Sequence, residues 1–96
     1  ENIYPAELEE FLTAQKGILE AHVFGIPDEK FGEQLVAWII AEEGATLDEI
    51  IIQNLCKNAL AYYKVPAIVR LVEEVPLTAT GKPQKFKMRE IMLNET

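Results

Sequence analysis

The sequence predicts a small α+β domain in which a three-stranded sheet packs against about three helices. Three observations lead to this class. The 96 residues are enough for one domain, 49% of them are hydrophobic, and helix-type and strand-type apolar spacings alternate along the chain. The predicted order is α-β-β-α-β-loop-α, and we expect residues 1–96 to form a single domain.

The first helix is predicted to begin at Pro5, because a missing N–H costs nothing in a first turn. Leu8, Phe11 and Leu12 then follow i, i+3, i+4 spacing and give the helix an apolar face. Gly17 marks its predicted end, since glycine readily adopts the left-handed conformation that closes many helices.

Three runs of residues have the length and composition of strands. Residues 21–25 predict a short strand, and residues 26–33 predict a polar loop after it. Residues 35–41 are apolar throughout and rich in β-formers, which predicts a central strand buried on both faces. Residues 68–72 predict the third strand.

The second helix is predicted from a capping box, with Thr46 as N-cap and Glu49 three residues later. It should end near residues 61–63, before Pro66. Its expected apolar face, at steps of four residues, consists of Leu47, Ile51, Leu55 and Ala59. The last helix is predicted over residues 84–93. Its apolar residues, at i, i+3, i+4 spacing, are Met88, Ile91 and Met92.

Charge is distributed unevenly along the chain, whose net charge is −7. Residues 1–50 carry twelve acidic and two basic side chains, whereas residues 57–89 carry seven basic and two acidic ones. The negative total argues against nonspecific nucleic-acid binding. We expect the basic part to meet an anion or an acidic partner, although solvated faces of random sign would give the same distribution.

Other features predict a cytoplasmic protein without a membrane span. No apolar run approaches the roughly 20 residues that cross a bilayer. The opening residues have neither the basic nor the apolar region of a secretory signal. Cys56 is the single cysteine, so no internal disulfide can form, which fits a reducing compartment. The final Asn-Glu-Thr is not a peroxisomal signal.

Most candidate catalytic groups are expected to be structural. A single histidine, His22, and a single cysteine cannot form a zinc site, so no metal site is predicted. His22 lies among apolar strand residues and Cys56 on the apolar side of a helix, so we expect both to be packed and inert. The acidic cluster of the first helix, expected to be solvated, consists of Glu7, Glu9 and Glu10.

One segment before the last helix is predicted to present a lysine. Thr78, Thr80 and Gly81 suit a loop with unusual dihedral angles, and Pro83 fixes the chain direction after Lys82. A long cationic side chain on such a mobile loop can reach a phosphate or a carboxylate as a point charge. Further positive charge follows on Lys85, Lys87 and Arg89. Spacing alone leaves open the alternative of an ordinary surface lysine.

Three segments carry a resemblance to a known family: residues 1–9, residues 23–33 and residues 61–82. The second segment contains Val-Phe-Gly-Ile-Pro-Asp and Gly-Glu, and the third contains Ala-Tyr-Tyr-Lys-Val-Pro and Thr-Gly-Lys. In this order they resemble the C-terminal domain of the acyl-CoA synthetase, adenylation-domain and luciferase superfamily, over nearly the whole chain. Residues 2–5 and 80–90 are most similar to medium-chain or fatty acyl-CoA synthetases.

The resemblance implies an enzyme whose large N-terminal domain binds ATP, Mg²⁺ and a carboxylic acid. The acid is joined to AMP, and the small domain then rotates so that the thiol of coenzyme A attacks the acyl-adenylate. The family's catalytic lysine corresponds to Lys82, with Thr80 and Gly81 beside the nucleotide. The segment expected to face coenzyme A consists of Glu1, Asn2 and Ile3. Alone, this domain is expected to bind no cofactor and to be inactive.

Two alternatives stay open. In the first, the domain is part of an adenylating module that loads a carrier-protein thiol. In the second, it is a free-standing interaction domain in which Lys82 is an ordinary surface residue. The acid pocket lies in the large domain, so this sequence does not specify the acid. It does not specify the oligomeric state either.

Overall fold

The computed structural model describes residues 5–30 and 32–95, which contain three α-helices and one three-stranded sheet. In chain order the elements are α1 (Pro5–Thr13), β1 (Ile18–Asp28), β2 (Gly32–Ala41), α2 (Glu49–Ala59), β3 (Ile68–Leu71) and α3 (Lys85–Asn94). A short 3-10 turn, Tyr62–Lys64, precedes β3. The predicted α+β class and element order are confirmed. Within the described ranges, no helix is long and apolar enough to cross a membrane.

The sheet is mixed, with strand order β1-β2-β3. Strands β1 and β2 are antiparallel, whereas β2 and β3 are parallel. Four consecutive residues of β2 are buried: Val36, Ala37, Trp38 and Ile39. Because successive side chains of a strand point to opposite faces, both faces of β2 are covered, as predicted. Strands β1 and β3 form the two edges.

Two hydrophobic clusters cover the two faces of the sheet. The first core, to which α1 and α2 contribute, consists of Leu8, Leu12, Ile18, Ala21, Val23, Ala37, Ile39, Ile52, Cys56 and Val69. The second core, to which α3 contributes, consists of Phe24, Ile26, Val36, Trp38, Val75, Met88 and Met92. The predicted apolar side of the last helix is thus confirmed for Met88 and Met92, while Ile91 remains 41% exposed.

The predicted polar loop over residues 26–33 is wrong. Most of these residues extend β1 and β2, which pair Pro27 with Glu33 close to the turn. Ile26 is buried in the second core, which gives the extension a packing reason. Pro27 is tolerated because β1 is an edge strand, where a missing backbone donor breaks no necessary bond. Strand β1 also begins earlier than predicted, at Ile18.

Helix α2 differs from the prediction in its N-cap and in its buried face. Asp48 is the N-cap, and its Oδ1 accepts a hydrogen bond of 2.8 Å from the Ile51 N–H. Aspartate ranks above threonine at this position, so the helix starts after Asp48 and not after Thr46. Ile52 and Cys56 are buried, while Ile51 is 43% exposed. Contact with the first core, not the four-residue spacing, decides which face is buried.

The replacement Asp48→Ala is expected to lower the free energy of unfolding by about 1 kcal/mol, because the Ile51 N–H loses its acceptor. Thr46→Ala is the matched control and should change it much less. Urea unfolding followed by circular dichroism measures both variants. A larger loss for Thr46→Ala would show that the capping box, and not Asp48, starts the helix.

Candidate active-site loop

The segment from Leu77 to Pro83, here called the Lys82 loop, forms a closed hairpin between β3 and α3. Its ends pair through an antiparallel bridge between Leu77 and Pro83. The Thr78 N–H donates to Lys82 O at 2.8 Å, and the Gly81 N–H donates to Thr78 O at 2.9 Å. This hydrogen-bond pattern is that of a three-residue hairpin loop whose last residue is left-handed. Gly81 meets that requirement with φ of +86°.

Side-chain and backbone hydrogen bonds fasten the loop further. Thr78 Oγ1 accepts from the Lys82 N–H at 3.0 Å and lies 3.1 Å from Thr80 Oγ1. At the base of the loop, the Gln84 N–H donates to Pro76 O at 2.9 Å. The sequence predicts a mobile loop, whereas these bonds hold the backbone around Lys82 in one shape. The hydroxyl group of Thr78 accepts one of these bonds, and the amino-acid composition of the loop does not predict that contact.

The Lys82 side chain extends from this backbone into solvent. Lys82 is exposed, and so are Thr80 and Gly81 beside it. Among residues 5–30 and 32–95, no hydrogen-bond or ion-pair partner of the Lys82 ammonium group is present. An unpaired ammonium group on a fixed backbone is suited to neutralising a phosphate or carboxylate brought against it.

Two of the basic residues that follow Lys82 are committed to internal contacts. Lys85 Nζ forms an ion pair with Glu9 at 2.9 Å, and Arg89 Nε donates to Gly25 O at 2.9 Å. Glu9, predicted to be solvated, is therefore a structural residue. Sequence reasoning missed both contacts because the partners lie far away in sequence, and no local pattern announces them. The contacts leave Lys82 as the cation that the loop itself presents.

Helix α3 is anchored along its length, which fixes the direction of the Lys82 loop. Met92 is buried in the second core, where its Sδ accepts a hydrogen bond of 3.4 Å from Trp38 Nε1. Just beyond the helix, the Arg70 guanidinium donates to both carboxylate oxygens of Glu95. This hydrogen bonding lowers the pKa of Glu95. Together with the contacts of Lys85 and Arg89, these contacts restrain α3 along its length.

The remaining predicted candidates take no part in the loop. His22 Nε2 lies 2.9 Å from Glu20 Oε1, and Cys56 is buried in the first core, where desolvation raises the pKa of its thiol. In the described part of the chain, no group of three or more His, Cys, Asp or Glu residues has the arrangement of a metal site. The predicted coenzyme A-facing residues lie outside the described residues; they are Glu1, Asn2 and Ile3.

The sequence matches the family model of the AMP-binding enzyme C-terminal domain over residues 7–82. The chain belongs to this family. Medium-chain acyl-CoA ligase ACSF2 of Danio rerio is 50% identical over 92 residues, which cover 94% of this chain and 15% of that protein. The 2-succinylbenzoate–CoA ligase of Listeria monocytogenes is 44% identical over 90 residues, which cover 94% of this chain and 19% of that protein.

A solved structure agrees with these sequence relatives. The crystal structure of apo MatB from Rhodopseudomonas palustris matches with a TM-score of 0.91 and 35% identity, over 98% of this chain and 19% of that one. The chain therefore spans less than a fifth of the length of each of these relatives. The family resemblance predicted from the sequence is confirmed.

Cys56 is expected to react slowly with a thiol reagent at pH 8 in the folded chain, because burial raises the pKa of its thiol and blocks access. Urea should release a fast reaction. Absorbance with Ellman's reagent measures both rates, and no other thiol contributes, since Cys56 is the single cysteine. A fast reaction in buffer would mean that this thiol is available for chemistry.

Proposed function

We propose that the chain is the mobile C-terminal domain of an AMP-forming acyl-CoA ligase and that Lys82 supplies positive charge for acyl-adenylate formation. The observation that carries the proposal is the exposed, unpaired Lys82 on a hydrogen-bonded hairpin, in a chain of the AMP-binding C-terminal family. Thr80 and Gly81 are assigned to the nucleotide side of the same loop.

The charge balance of the reaction supports this role. Adenylate formation brings a carboxylate against the α-phosphate of ATP, so two anions approach each other. An ammonium group beside them offsets the repulsion and stabilises the charge that develops as pyrophosphate leaves. A hydrogen-bonded loop holds that group in place before the reaction, which avoids reorganisation during it.

The substrates ATP and coenzyme A and the Mg²⁺ ion are assigned mainly to the large N-terminal domain. The described part of this chain offers no donor set for the metal, and its proposed contribution to the nucleotide is the Lys82 loop. For the second half-reaction we propose that the domain rotates and that Glu1, Asn2 and Ile3 face coenzyme A. The alternative is a module that loads the thiol of a carrier protein. Offering the complete ligase coenzyme A in one assay and a carrier protein in another shows which thiol accepts the acyl group.

The large domain is the proposed partner of the surface around Lys82. Leu77 begins the loop and Phe86 follows it in α3, and each is 55% exposed. Exposed apolar side chains beside a charged group suit a face that another domain covers. The matched segments cover only 15% and 19% of these relatives, so a protein of their size has ample length for such a domain.

The acid is selected outside this domain in our proposal. One relative is named for medium-chain acids and another for 2-succinylbenzoate, yet over the aligned 92 and 90 residues they are 50% and 44% identical to this chain. A domain this similar across chemically different acids has a common step to perform. We propose a cytoplasmic location, as the sequence predicts; the relative from Danio rerio is named as mitochondrial.

Lys82→Ala in the complete ligase is expected to slow adenylate formation on the order of 10²–10³-fold, the typical cost of removing one electrostatic contact to a transition state. Thioester formation from supplied acyl-adenylate should be unchanged. Pyrophosphate release and thioester formation measure the two steps. Lys87→Ala, at an exposed lysine of α3, is the control and should leave both rates unchanged. Equal loss of both steps in Lys82→Ala would overturn the assignment.

Gly81→Ala is expected to slow adenylate formation about tenfold, because a left-handed backbone is costly for alanine and a small misplacement of Lys82 is costly for the reaction. Gly44→Ala is a matched control: its φ is +81°, near the +86° of Gly81, and an added Cβ meets nothing within 4 Å at either position. Both variants should lose about 1 kcal/mol of stability. An equal rate effect in both would show that stability, and not the loop, is responsible.

A further inference from the structure

One carboxylate oxygen joins three elements of the fold. Glu9 Oε2, on α1, accepts a hydrogen bond of 2.8 Å from the Val23 N–H of β1. The same oxygen lies 2.9 Å from Nζ of Lys85, the first residue of α3. The Glu9 side chain is 23% exposed and that of Lys85 is 34% exposed, so solvent screens the pair only in part.

The contact passes around the edge of the sheet. Helix α1 packs on the first core and α3 on the second, and these cores lie on opposite faces. β1 is an edge strand, and the Val23 N–H finds its acceptor in Glu9 and not in a strand. Glu9 therefore satisfies an edge donor and connects the layer of α1 to the layer of α3.

We propose that Glu9 and Lys85 are positioning residues for Lys82. The inference rests on the proposed function of Lys82. Lys85 lies three residues after Lys82, at the point where the Lys82 loop enters α3. The ion pair between Lys85 and Glu9 fixes that entry point relative to α1. The Lys82 loop therefore keeps its position relative to α1 when the domain rotates.

The rest of α3 has its own restraints, which makes the effect specific. Arg89 is bound to Gly25 O, and Met92 is bound to Trp38, both farther along the helix. Loss of the Glu9 contact therefore loosens the entry into α3 at Lys85, while Met88, buried in the second core, and these two contacts keep the helix docked. A displacement of about 1 Å in a reacting group is enough to cost on the order of 10²-fold in rate.

Lys85→Met and Glu9→Gln in the complete ligase test the proposal. Lys85→Met keeps the length of the side chain without its charge, and Glu9→Gln keeps an oxygen for the Val23 N–H. Adenylate formation should fall about tenfold or more in each, while thioester formation from supplied acyl-adenylate stays unchanged. Lys85→Arg keeps the ion pair and should restore most of the rate. Glu10→Gln, at an exposed neighbour on α1, is the control.

The outcomes separate this inference from the function on which it rests. Unchanged adenylation in Lys85→Met, with Lys82→Ala impaired, would overturn the positioning role and leave the function of Lys82 standing. Equal loss of both half-reactions, or a fall in thermal midpoint that Lys85→Arg does not reverse, would show a general packing role and overturn it too. Full adenylation in Lys82→Ala would overturn both proposals at once.

Discussion

Burial of β2 on both faces is the constraint on which the rest of the structure depends. A strand with apolar side chains on both sides needs a cover on each, since exposed apolar area costs about 25 cal/mol for every Å². Helices α1 and α2 supply one cover and α3 supplies the other. The position of α3 therefore follows from the composition of β2, in particular from Trp38, whose indole N–H is bound to Met92.

The docking of α3 determines the position of the Lys82 loop, and hydrogen bonds within the loop determine its conformation. Hydrogen bonds among Thr78, Gly81 and Lys82 close the hairpin without help from distant residues. Where the hairpin points depends on the docking of α3, which long-range contacts such as those of Arg89 determine. A lysine presented this way has a fixed local backbone and moves with its domain, which suits the proposed rotation.

The parts of the fold that were predictable from sequence are those with a local signal. The apolar run of β2 predicts that this strand is buried, and the helical spacing of Met88 and Met92 predicts that these two side chains are buried. Residues 26–33 were predicted wrongly because their polar composition hides a strand that pairing with β2 stabilises. The role of Glu9 had no local signal at all, since an acid in the first turns of a helix is most often solvated.

Two ion pairs account for part of the uneven distribution of charge. Acids of α1 pair with bases of the second half of the chain, Glu7 with Lys64 and Glu9 with Lys85. These two ion pairs connect α1 to the second half of the chain and involve two of the seven bases in residues 57–89. Lys82 differs from those two bases because it is exposed and has no hydrogen-bond or ion-pair partner among the described residues. Lys87 is also exposed and unpaired among the described residues, so the hairpin that presents Lys82, and not the missing partner alone, distinguishes the candidate site.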